Sequence, residues 1–128
     1  MSRHRVAAFT LFAAVLSTGT ACRSADPYAM DQQIPGITLV VRNNNFNDMD
    51  IYAISAGLPT RVGTVTGNSS QSFKLHESLY TSSGDLRIVA TPIGGNGRAS
   101  SGQIAVSPGE TIYFTIGSQL RQSSVTIR

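Results

Sequence analysis

The stretch Ser107-Pro108-Gly109-Glu110-Thr111-Ile112-Tyr113-Phe114-Thr115-Ile116 decides the fold class of this chain. Its first four residues read as a type II turn, because proline fixes φ at about −65° at the second position and glycine accepts a positive φ at the third. The six residues that follow alternate, with Ile112, Phe114 and Ile116 on one side and Thr111, Tyr113 and Thr115 on the other. A period of two in β-branched and aromatic residues predicts a half-buried strand led in by a tight turn.

Working outward, the same signature recurs. Ile37, Leu39 and Val41 alternate with Thr38, Val40 and Arg42, and further strand-like runs fall at 51–54, 61–66, 71–75, 86–91, 103–106 and 124–128. Turn chemistry separates them: a polar corner at 43–50, Gly67-Asn68, and Gly94-Gly95-Asn96-Gly97. Only 75–80 hints at a helical turn. Short strands in regular succession predict an all-β domain over 36–128, a small antiparallel β-sandwich of about seven or eight strands, with a small β-barrel as the alternative. The expected inward residues are Ile37, Leu39, Val41, Ile51, Val62, Val65, Phe73, Leu75, Leu86, Ile88, Ala90, Ile104, Ile112, Phe114, Val125 and Ile127. Tryptophan is absent and cysteine occurs once, so the Cys…Trp…Cys spacing of an immunoglobulin domain is missing.

The segment before these strands has a different plan. Arg3, His4 and Arg5 precede an apolar run at 6–16 and a small-residue stretch at 17–21, the three parts of a secretory signal peptide. At ~1.5 Å per residue, that run covers about half of a ~30 Å hydrocarbon core, too little for a stable span. The segment ends at Cys22. The residues Gly19-Thr20-Ala21-Cys22 resemble the bacterial lipobox, whose usual large aliphatic residue three places before the cysteine is Gly19 here. The resemblance implies cleavage before Cys22, which then becomes the lipidated first residue of the mature protein. Gly19 and Ala21 also suit ordinary signal peptidase, which would release a soluble periplasmic or secreted protein.

Cysteine usage bears on this choice. Export leads to an oxidising compartment, and Cys22 has no second cysteine to pair with. A thioether to lipid removes the free thiol, and several acyl chains at ~0.8 kcal/mol per buried CH₂ make attachment near-permanent. From 22 to 35 the chain is polar and carries Pro27 and Pro35, so it reads as a flexible tether behind the lipidated cysteine. By the same resemblance, Arg23 after the cysteine implies the outer membrane. The whole plan, a lipobox-like signal peptide at 1–21, a tether and a short β-sandwich domain, resembles small uncharacterised bacterial envelope lipoproteins.

Charge excludes one partner class. Arg3 and Arg5 leave with the signal, so eight of the ten Lys/Arg face seven Asp/Glu in the remainder. No basic stripe exists, and no nucleic-acid partner is expected.

Several constellations could carry chemistry. Asn43, Asn45 and Asn47 alternate beside Asp48 and Asp50, as oxygen ligands of a calcium ion would, but no glutamate follows at EF-hand spacing. The same residues suit a corner between strands, because Asn and Asp bond their own backbone. His76-Glu77 lies near Ser78, Ser82 and Ser83, yet adjacency is not triad geometry and no Gly-x-Ser-x-Gly elbow occurs. Tyr52 and Tyr113 are out of phase with the inward residues of their strands and, with Tyr80, could form an aromatic contact patch. No catalytic set, metal site or cofactor is expected. The sequence therefore predicts a non-catalytic, lipid-anchored envelope module on the periplasmic side. Its expected partners are membrane lipid through the anchor and an envelope protein or polysaccharide. The alternative is an exported module binding a glycan, a peptide or Ca²⁺.

Overall fold

The computed structural model describes residues 35–80 and 85–128. The signal segment, Cys22, the tether up to residue 34, and Ser82 and Ser83 lie outside the described residues. Eight strands follow one another: β1 (Ile37–Asn43), β2 (Met49–Ser55), β3 (Leu58–Val65), β4 (Ser70–Leu75), β5 (Leu86–Pro92), β6 (Ala99–Ile104), β7 (Thr111–Ile116) and β8 (Ser124–Ile127). One-turn 3-10 helices at Glu77–Leu79 and Leu120–Gln122 sit in two of the connections. The turn before β7 forms as read: Glu110 N–H donates to the Ser107 carbonyl at 3.1 Å, and Gly109 has φ of 91°.

The strands make two four-stranded sheets in the orders β4-β1-β7-β8 and β3-β2-β5-β6. These pack as a sandwich. Each sheet keeps two edges among the described residues, so the barrel alternative does not hold. Pairing is antiparallel throughout except between β1 and β7, which run parallel with Leu39 opposite Ile112 and Val41 opposite Phe114. Parallel neighbours need a long crossover, and here the chain visits the other sheet before returning as β7.

Between the sheets lie Ile37, Leu39 and Val41 of β1, Met49, Ile51 and Ala53 of β2, Ile88 and Ala90 of β5, and Ile112, Phe114 and Ile116 of β7, all fully buried. Every inward residue expected from the alternation is in this core or packed against it, with Val62, Phe73, Val125 and Ile127 only partly covered on outer strands. Burying each large side chain of this kind contributes ~1.5–3 kcal/mol before conformational entropy is counted. Leu79 and Tyr80 plug the core from the connection after β4.

Two elements differ from the sequence reading. The strand expected at 103–106 is β6 at Ala99–Ile104, because a bulge hides its alternation: the register with β5 shifts between Arg87 and Val89. There Ile88 N–H donates to Ser101 Oγ at 2.9 Å, a side chain replacing a backbone partner. The strand expected from 61 begins earlier, at Leu58, because Ala56 and Gly57 turn the chain with φ of 50° and 78°. Two consecutive positive φ values are what the favoured two-residue hairpin requires. Pro59 is tolerated in β3 because that strand is an edge.

The chain enters at one end of the sandwich, where Pro35 lies against the 107–110 turn and Thr38 N–H donates to the Glu110 carbonyl at 3.3 Å. The loops 44–48, 66–69, 93–98 and 117–123 gather at the other end, because β1, β3, β5 and β7 all run toward it. Seven residues of β1 at ~3.3 Å each separate the two ends by about 20 Å.

Candidate functional site

The loop end is built on Asn43, the last residue of β1, which is 1 % exposed. Its amide nitrogen donates to the carbonyls of Asn47 at 2.8 Å and Thr66 at 3.2 Å, and its Oδ1 accepts Asn45 N–H at 3.0 Å. The pattern repeats two residues on: Asn45 Oδ1 accepts Asn47 N–H at 3.0 Å, while Asn45 Nδ2 donates to the Ser118 carbonyl at 2.7 Å. Backbone bonds extend the bracket, with Asn68 N–H donating to the Asn45 carbonyl and Ile93 N–H to the Asp48 carbonyl, each at 2.9 Å. Asp48 Oδ1 accepts Gly67 N–H at 2.9 Å. One short polar stretch thus fastens all four loops.

The oxygens of Asn43, Asn45 and Asp48 each face a different backbone N–H rather than a common point. Asp50 lies along β2, where its Oδ1 accepts from Arg61 Nη2 and Thr64 Oγ1, both at 2.7 Å. The Thr64 hydroxyl first, and Arg61 second, hold the Asp50 carboxyl below its ordinary pKa. Among the described residues no three His, Cys, Asp or Glu side chains come together to hold a metal. Asn43, Asn45 and Asp48 brace the corner with their side chains, while Asp50 stands outside it on β2.

The tyrosines separate. Tyr52 is half-buried on the outside of the β3-β2-β5-β6 sheet, and Tyr113 lies on the outside of the other sheet with the Arg128 guanidinium 5.8 Å from its ring centre. Tyr80 is buried in the core. A shared aromatic patch does not form, because period-two alternation sets a face within one sheet and does not say which sheet. His76 caps the 3-10 helix after β4, its Nδ1 accepting Ser78 N–H at 3.3 Å and lying 2.9 Å from Ser78 Oγ.

Among its polar side chains the loop end also exposes apolar and basic ones. Phe46, at the tip of the corner, is 79 % exposed, and Ile93 in the neighbouring loop is 53 % exposed. Arg98 and Arg121, with Gly97, Gln119 and Leu120, line an open cleft of about 440 Å³ between loops 93–98 and 117–123. A smaller recess of about 220 Å³, lined by Ile54, Gly57, Asp85, Leu86, Arg87 and Gln103, lies at the opposite end.

No protein-family model and no curated protein matches this chain. Among solved structures it is similar to a protein from Eubacterium rectale determined by NMR, at 13 % identity and a TM-score of 0.47, over 77 % of this chain and 93 % of that one. It is also similar to the CBM25-1 of the β/α-amylase from Paenibacillus polymyxa, at 18 % identity and a TM-score of 0.42, over 72 % of this chain and 90 % of that one. A Gram-negative toxin matches at 13 % identity and a TM-score of 0.41, over 73 % of this chain and 23 % of its own.

The sequence reading identified the corner but missed what it displays. Phe46 is the large apolar residue in an otherwise polar run beside inward Met49, and that isolation was the available signal. Arg98 and Arg121 carried no signal, since their loops meet only through the fold.

Proposed function

We propose that this chain is exported, held at the outer membrane by lipid on Cys22, and works without catalysis as an interaction module through its loop end. The observation that supports the loop end as the contact surface is the opposition of Pro35 and Phe46 across β1. The chain leads back toward Cys22 from the Pro35 end, while Phe46 and Ile93 stand exposed about 20 Å away. Read as the tether that its polar composition predicts, the segment from 22 to 35 would reach roughly 20 Å, enough to lift the body off a headgroup layer. Large apolar side chains held out on a braced loop cost solvation and gain it back when a partner covers them.

Two measurements test the reading. Fractionation of wild type against Cys22→Ser should move the protein from the membrane to the soluble fraction, and unchanged partitioning removes the anchor. Photo-crosslinkers placed at 46 and at 58 in cells compare the two ends, because Leu58 is 72 % exposed at the other end. Adducts are expected from 46; adducts from 58 alone would overturn the loop-end assignment.

A further inference from the structure

We infer that the cleft between loops 93–98 and 117–123 binds the pendant oxyanions, carboxylate or phosphate, of an acidic polysaccharide, with Arg98 and Arg121 as the contacting groups. This deepens the loop-end reading and rests on it.

Charge is the first argument. Arg61 is taken by Asp50, Arg42 Nε donates to Asn44 Oδ1, and Arg128 lies over Tyr113. Arg98 and Arg121 have no ion pair or hydrogen bond to any described residue, yet both line one cleft. Asp48, the acid in the loop cluster, turns Oδ1 to Gly67 N–H. Two unneutralised guanidinium groups on one cleft make a local positive field, and each offers a planar fork of donors that matches carboxylate or phosphate. Gln119 adds a neutral amide to the same cleft.

Rigidity is the second. Leu120 packs on the core, and a Cβ on Gly97 would lie 3.3 Å from Leu120 Cδ1, so the two loops meet closely. The 117–123 loop is fixed by Asn45 Nδ2 to the Ser118 carbonyl, by Gln122 N–H to the Gln119 carbonyl at 2.9 Å, and by Ser123 Oγ to the Leu120 carbonyl at 2.8 Å. Walls ordered before binding reduce the entropy lost on binding.

Exposure is the third, and it selects a polymer over a free ion. Gly97, Arg98, Gln119 and Arg121 are all exposed, so each charge contact is screened by solvent and weak alone. A chain with an anion on successive units gains by rebinding where a single ion does not. The cleft is open, so such a chain can pass through it.

The test uses the full chain purified in detergent and run in native gels containing polygalacturonate, a phosphorylated mannan or neutral dextran. Retardation is expected in one or both charged gels and not in dextran; which charged gel retards the protein tells carboxylate from phosphate. Raising salt from 50 to 300 mM should weaken it by about tenfold or more. Arg98→Ala with Arg121→Ala should lose about tenfold with the melting temperature unchanged, and the paired lysine variant should fall between, keeping charge without the fork. Arg87→Ala, at the opposite end, should bind as wild type does. No retardation in either charged gel, equal retardation in dextran, or equal loss in Arg87→Ala overturns the inference. Capture of an acidic protein without retardation by either polymer overturns the ligand class. Adducts from position 46 without retardation would leave the loop-end reading standing and remove this one.

Discussion

Asn45 and Ser118 lie 73 positions apart, and the Asn45 amide donates to the Ser118 carbonyl at 2.7 Å. That bond joins the first corner of the chain to the last. Asn45→Ala removes it together with the acceptor for Asn47 N–H, leaving buried polar groups unmet at about 1–3 kcal/mol. Thermal unfolding should show a drop of roughly 4–8 °C per kcal/mol for a domain of this size. Asn45→Asp keeps the acceptor but sets a buried carboxylate oxygen against the Ser118 carbonyl, so it should destabilise at least as much as alanine.

Gly67 faces a harder constraint than any turn angle. A Cβ there would sit 2.1 Å from the Phe46 carbonyl oxygen, and backbone cannot swing aside as a side-chain tip can. Gly67→Ala should therefore destabilise by about 1–3 kcal/mol. Gly36, with nothing near its absent Cβ, should accept alanine within about 0.5 kcal/mol in urea unfolding.

Asp50 contributes a pH-dependent increment. Its folded-state pKa is lowered, chiefly by the Thr64 hydroxyl and then by Arg61. A depressed carboxyl stabilises the fold above its unfolded value of about 3.9, and that stabilisation is lost as pH falls through the folded value. The difference between wild type and Asp50→Asn should be constant near neutral pH and shrink below about pH 4. Because the pair is open to solvent, the increment should be small. A difference that grows as acid is added would contradict the ion pair.

Ser101→Ala tests the bulge. It removes the oxygen that accepts Ile88 N–H, at a cost of about 1 kcal/mol. Hydrogen exchange should show the loss at the Ile88 amide while Ala90, beyond the bulge, keeps its protection.

Much of the fold was legible because alternation is a local signal. β1 and β7 were read at nearly their full lengths, since Ile37 to Val41 and Ile112 to Ile116 keep strict phase. β6 was read late because Ser100, Ser101 and Gly102 carry no apolar phase and break the register. The start of β3 was missed because Ala56 adopts a positive φ that alanine seldom takes. The asparagine corner was legible as turn chemistry, Asn43 and Asn45 each bonding backbone two residues on. The cleft was not, because nothing in the neighbourhood of Arg98 refers to Arg121. Which sheet each tyrosine faces depends on strand order, and strand order is not written locally.

The parallel pairing of β1 with β7 makes closure a late event in folding. One flank of Ile37–Asn43 stays bare until residues 111–116 have been made and have threaded back, so the central seam of that layer depends on contacts of long sequence separation. A nascent chain stalled before Thr111 would show an unsatisfied strand edge, the kind that recruits a second copy. Speed of completion, more than final strength, would then govern whether molecules of this chain stay apart.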